Sequence, residues 1–137
     1  MVVRFLHVRH YDCEQKRFRS EAFEVSSDGG LSVFSADCAR TTSGGICEHL
    51  HTYYRSADGT PAIYWAFDPA ILPKVPDCID EPVADGDPCH QGLRGLTKKD
   101  AKKFFKDNYA SRLDQFLICD PDAGPRPLTE ADLTPYC

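Results

Sequence analysis

Ser26-Ser27-Asp28-Gly29-Gly30-Leu31-Ser32-Val33-Phe34 reads as a turn followed by the strand that returns from it. Two adjacent glycines can take positive φ, and the polar residues before them favour a reversal of the chain. Upstream, residues 17–25 alternate without a clean apolar face, so they read as a strand or an irregular connection. Residues 2–9 are rich in β-branched and aromatic side chains and predict a first strand. Downstream, Thr41-Thr42-Ser43-Gly44-Gly45 reads as a loop. A helix over 46–55 follows, because Ile46, Leu50, Tyr53 and Tyr54 recur at i, i+4, i+7 and i+8. Residues 62–67 read as a buried strand. Thr97 is the expected N-cap of a second helix running to about Asn108, with Asp100 completing an approximate capping box. A last strand is expected over 113–119. From about residue 120 the tail reads as irregular, with one short helical turn at Thr129-Glu130-Ala131-Asp132. This order predicts a single α+β domain: a mainly antiparallel sheet with about two helices packed on it.

With 137 residues, 42% of them hydrophobic and 27% charged, the chain suits one compact domain. No apolar run approaches the roughly 20 residues a membrane helix requires, so no membrane partner is expected. Residues 1–7 lack the apolar length of a secretory signal, which implies a cytoplasmic address. The seven cysteines are odd in number and include no C-x-x-C pair. In the cytosol most would be reduced thiols, several of them buried, with one or two bridges as the alternative. Residues 68–88 hold five of the ten prolines and, from Asp77 onward, five acidic residues, the composition of a surface loop.

Charge is segregated. Five of the seven lysines fall at Lys98, Lys99, Lys102, Lys103 and Lys106, so residues 98–106 carry +4 in a chain of net charge −5. Directly before them runs Cys89-His90-Gln91-Gly92-Leu93-Arg94-Gly95-Leu96-Thr97. A helix N-terminus favours phosphate or carboxylate, and Gly92 and Gly95 would let backbone approach it. Arg94 is suited to a bidentate phosphate contact, with Thr97, Lys98 and Lys99 beside it. The glycine spacing is not that of a P-loop. The plainer reading is a solvated lysine face on an amphipathic helix.

A second cluster, His7, Arg9, His10, Tyr11, Asp12 and Cys13, sits at the end of the first strand. His10 is the best general acid/base candidate, since imidazole titrates near neutral pH, and Arg9 would bind an anion beside it. His90 is its candidate partner. Cys47 and His51, four residues apart, are metal-ligand candidates, with His10, Cys13, Cys89 and His90 as further ones. The closely spaced knuckles of zinc sites are absent, and no metal site is expected.

The strings His10-Tyr11-Asp12, Arg17-Phe18-Arg19-Ser20-Glu21-Ala22-Phe23, Leu31-Ser32-Val33 and Cys89-His90-Gln91-Gly92-Leu93, with a basic helix after them, resemble a loose group of small uncharacterised bacterial proteins. The resemblance covers residues up to about 110 and implies no activity. It does imply that Arg9, His10, Ser20, Ser32 and His90 come together.

The expectation is therefore a cytosolic domain binding a phosphate-bearing ligand where the lysine helix begins beside Arg9 and His10. A nucleotide fits better than duplex nucleic acid, because a chain of net charge −5 is ill suited to many phosphate contacts. One alternative is a nucleotide- or RNA-processing enzyme with His10 and His90 as acid and base. The other is a module that docks a partner protein and takes no small ligand.

Overall fold

The computed structural model describes residues 1–54 and 58–137. Its centre is a seven-stranded antiparallel sheet in the order β6-β7-β4-β1-β5-β8-β9. These strands are β1 (Val2–Leu6), β4 (Leu31–Ser35), β5 (Ile63–Phe67), β6 (Asp77–Asp80), β7 (His90–Arg94), β8 (Leu117–Asp120) and β9 (Gly124–Pro127). A separate two-stranded ribbon pairs β2 (Tyr11–Asp12) with β3 (Arg17–Phe18). The fold is α+β. Its α-helices number four among the described residues, rather than about two: α1 (Ala36–Ser43), α2 (Ile46–Tyr53), α3 (Lys98–Asn108) and α4 (Glu130–Leu133).

Alternation along β1 divides the molecule. Val2 and Leu6 face a core shared with Phe23, Trp65, Phe105 and Phe116, which α3 covers. There the rings of Phe23 and Phe105 stack 5.4 Å apart. Val3 faces the opposite core with Phe34, Leu50 and Tyr64, which α1 and α2 cover. Burying a Phe or Leu side chain contributes roughly 1.5–3 kcal/mol, so these two faces supply most of the sheet's stability.

Several expected boundaries move. Thr41, Thr42 and Ser43 belong to α1, which Ser35 starts by accepting the Cys38 N–H at 3.2 Å. The helix ends at Gly44, whose φ of 88° disfavours other residues. The expected end of α2 at Arg55 lies outside the described residues. The first strand stops at Leu6, and a 3-10 turn over Val8–His10 replaces its end. The acidic loop contains an edge strand, β6. The tail begins with the β8–β9 hairpin, and Thr129 and Asp132 then close a capping box on α4.

The thiols correct the sequence reading most. Six of the seven cysteines are bridged: Cys13–Cys137, Cys38–Cys89 and Cys47–Cys119, with Cα atoms 5.9, 5.6 and 5.7 Å apart. Cys78 is a free, exposed thiol. Partners 124, 51 and 72 residues apart leave no local spacing signal. Among the described residues, no helix is long and apolar enough to cross a membrane.

Candidate functional site

The central pair of strands does not stay zipped. β1 and β4 are in register at Val2–Ser35 and Val3–Phe34 and then diverge, while β1 stays paired with β5 over its whole length. The gap is bridged by Arg4, whose Nη1 donates to the Ser32 carbonyl at 2.9 Å and whose Nε donates to the Ala22 carbonyl at 3.2 Å. Burial draws its pKa below the ordinary arginine value, opposed by Tyr54 and Glu24. Arg4 nevertheless stays charged, as arginine does in proteins. Among the described residues, no carboxylate forms an ion pair with it.

Above this split lies a cleft of about 510 Å³, lined by Arg4, Phe5, His7, Arg9, His10, Ser32, Phe34, Tyr54 and Asp58 among others. The 3-10 turn places its basic side. His7 caps that turn by accepting the Arg9 N–H on Nδ1 at 3.0 Å, which fixes the ring and turns Nε2 toward Asp58 at 3.1 Å. His10 follows, half-buried, and its Nδ1 is buried with no hydrogen-bond partner among the described residues. Burial lowers the His10 pKa, helped by the charges of Arg9, Arg4 and His7, with Glu21 opposing. His10 is therefore neutral near pH 7. The opposite wall is aromatic, with Phe5 and Tyr54 at 5.7 Å. The cleft thus joins fixed positive charge and a neutral imidazole to an aromatic wall.

The start of α3 is built differently. Arg94 makes a bidentate pair with Glu81 at 2.9 and 2.8 Å and a third contact with Asp28 at 2.6 Å. The two carboxylates raise its pKa, and Asp28 is held down at about 2, first by the Ser26 hydroxyl and then by Arg94. Gly30 and Gly92 make room for this cluster, since a Cβ would strike Arg94 at the first and Glu81 at the second. The segment expected to expose backbone N–H groups is instead β7, paired with β4 and β6. Thr97 makes no side-chain capping bond. Lys98 pairs with Glu24 at 3.4 Å, and Lys99 is exposed. Thr97 lines a separate, small pocket of about 130 Å³ that also carries Asp100.

The residues picked from the sequence therefore divide. Arg9 and His10 share the cleft, with Ser32. Arg94, Thr97, Lys98, Lys99 and His90 are not among the residues that line it. His90 holds the Glu81 carbonyl with Nδ1 at 2.8 Å. The α3 start and the Arg9–His10 pair thus share no lining among the described residues: His90 and Arg94 lie in β7 within the sheet, and Arg94 and Lys98 face carboxylates. Of the ligands weighed for zinc, Cys13, Cys47 and Cys89 are all bridged.

Two features escaped the sequence reading. Arg4 is one; its signal was a charge at an inward-facing position of an apolar strand. The other is a buried relay behind the cleft. Ser43 Oγ meets His49 Nδ1 at 2.8 Å, His49 Nε2 meets Asp87 Oδ1 at 2.7 Å, and the Tyr54 hydroxyl donates to Asp87 Oδ2. His49 is 0% exposed. The chain of contacts has the order of a serine–histidine–aspartate triad, but no substrate reaches an imidazole enclosed in this way. Its signal was a histidine beside Leu50 on the apolar stripe of α2. Compared with known proteins, the chain matches no family model, no curated protein and no solved structure.

Proposed function

We propose that the protein binds a small phosphate-bearing ligand in the cleft between β1 and β4, with a nucleotide as the best-fitting class. One observation carries this reading: among the described residues, a part-buried Arg4 without a carboxylate partner lies under the same cleft as His10, whose Nδ1 has no hydrogen-bond partner. Charged groups removed from water need a counter-charge, and an anion in the cleft supplies it. Arg9 adds a second cation at the rim. Phe5 and Tyr54 offer a planar surface for a base, and about 510 Å³ falls within the range of small-molecule sites. Three disulfides favour a non-reducing compartment over the cytosol, where such bridges are rare.

The enzyme reading retains His10 alone. A neutral imidazole beside two arginines is suited to accept a proton from a ligand hydroxyl or water. His90 has no part in it.

Calorimetry with inorganic phosphate and nucleoside monophosphates tests the proposal. Binding is expected, stronger for the nucleotide, weakening with salt and lost in the Arg9→Ala/His10→Gln double variant. Absence of binding, or an affinity unchanged in that variant, removes the reading.

A further inference from the structure

The relay behind the cleft lies against a disulfide. His49, Asp87 and Cys89 are 0%, 6% and 4% exposed. Each turns a potential metal-ligand atom inward, and the three atoms lie within 4.8 Å of one another. The Cys89 sulfur is bonded to Cys38, so a second sulfur is attached to the same cluster. We propose that Cys38, His49, Asp87 and Cys89 form a zinc site when the Cys38–Cys89 bridge is reduced.

A hydrogen bond alone accounts for His49 beside Asp87. It does not account for how the rest of each side chain is held. Ser43 takes the Nδ1 edge of His49, which leaves Nε2 pointing at the cluster. Tyr54 takes Asp87 Oδ2, while Oδ1, which also accepts the Cys89 N–H at 2.7 Å, points at the same place. Metal-binding histidines and carboxylates are typically oriented in this way, by partners on the atoms that do not bind the metal. One imidazole, one carboxylate oxygen and two thiolates are a tetrahedral donor set of the type zinc selects. Calcium and magnesium take oxygen ligands and do not match it.

The chemistry balances with a dithiol as reductant. The dithiol gives two electrons and two protons to the Cys38–Cys89 bond, leaving two thiols and its own cyclic disulfide. Zinc then binds both sulfurs as thiolates, and two protons go to solvent. For Nε2 to bind the metal, any proton it carries moves to Nδ1, where the Ser43 oxygen accepts it. Asp87 remains a carboxylate. Cys38 sits on α1, His49 on α2, and Asp87 and Cys89 in the segment entering β7. Zinc would thus join the same segments that the bridge joins, and α2 as well.

The test uses the intact chain, reduced anaerobically with a non-chelating phosphine and titrated with Zn²⁺ against a chromophoric chelator. One zinc per reduced chain is expected, with none taken up by the oxidised protein at the same concentrations. Alkylation of the reduced protein, mapped by mass spectrometry, should show zinc shielding Cys38 and Cys89 while Cys78 reacts freely. Mapping on the unsubstituted chain does not depend on any variant folding. His49→Gln is expected to weaken zinc binding by about tenfold or more. The proposal is overturned if the reduced chain takes up no stoichiometric zinc, if Cys38 and Cys89 react equally fast with and without it, or if His49→Gln binds as tightly as the parent.

Discussion

The two basic regions of this protein differ in what their charges face. At the start of α3, Arg94 and Lys98 meet carboxylates: Arg94 pairs with Glu81 and Asp28, and Lys98 pairs with Glu24. In the β1/β4 cleft, among the described residues, Arg4 hydrogen-bonds only to carbonyls and His10 Nδ1 has no hydrogen-bond partner. The first region is denser in positive residues; the second has more unmet demand. A cluster of lysines on a wetted helix is screened and neutralised locally, whereas one arginine under a cleft stays available to a ligand. Counting charges locates the first region, and counting their partners locates the second.

The comparison can be broken experimentally, and the largest effect should come from the cleft's support. Cys13–Cys137 fastens the segment just after β2, next to the cleft's basic turn, to the chain's last turn across 124 residues. Replacing both cysteines with serine should lower unfolding free energy by about 4–5 kcal/mol in denaturant titrations. It should also weaken ligand binding. If the cleft is unaffected, the ribbon does not hold its rim.

Next comes the charge itself. Arg4→Met should weaken phosphate binding about 30-fold, the equivalent of ~2 kcal/mol for a charge-assisted contact, by calorimetry. Arg94→Ala should leave binding unchanged while lowering the thermal midpoint, because it strands Glu81 and Asp28. If Arg94→Ala abolishes binding and Arg4→Met does not, the assignment of the two regions is reversed.

The smallest effect is in pH. His10 has a folded pKa below its ordinary value of 6.5, so the unfolded chain takes up the proton first. Its contribution is present above pH 6.5 and is lost as pH falls below that value. His10→Gln should flatten the stability profile there. Asp28 works in another window: its pKa is held near 2, below 3.8, so its contribution is full above 3.8 and disappears as pH falls through about 2. Equilibrium unfolding from pH 2 to 8 separates them, and a profile with no slope between pH 5 and 7 would remove His10 as the titrating group.

How much of this was legible varied with the range of the interaction. The turn at Asp28-Gly29-Gly30, the stripe of Ile46, Leu50 and Tyr54, and the α3 face of Ala101 and Phe105 are local patterns, and each appears as an element near its expected place. The missed elements depend on distant partners. β7 is a strand because β4 and β6 flank it, and nothing in His90-Gln91-Gly92-Leu93-Arg94 reveals that. Arg9 and His10 are chemically able residues in the sequence, and both line one cleft. Arg4 is hidden in an otherwise apolar run, and His49 lies beside Leu50 among polar neighbours of α2 that look like an ordinary solvent face. Such a residue needs the three-dimensional neighbours to show whether its charge or ring is satisfied.

The bridges also change what the molecule is as a covalent object. Cys13–Cys137 turns the segment between them into a closed ring, and the other two bridges cross inside it, since Cys47 lies between Cys38 and Cys89 while Cys119 lies beyond them. A protease that cuts once anywhere between residues 13 and 137 therefore releases no fragment. The nicked molecule keeps its mass on a non-reducing gel and separates into pieces only after reduction. In such a ring, exposed stretches such as 82–85 can be cut without the molecule losing its covalent continuity.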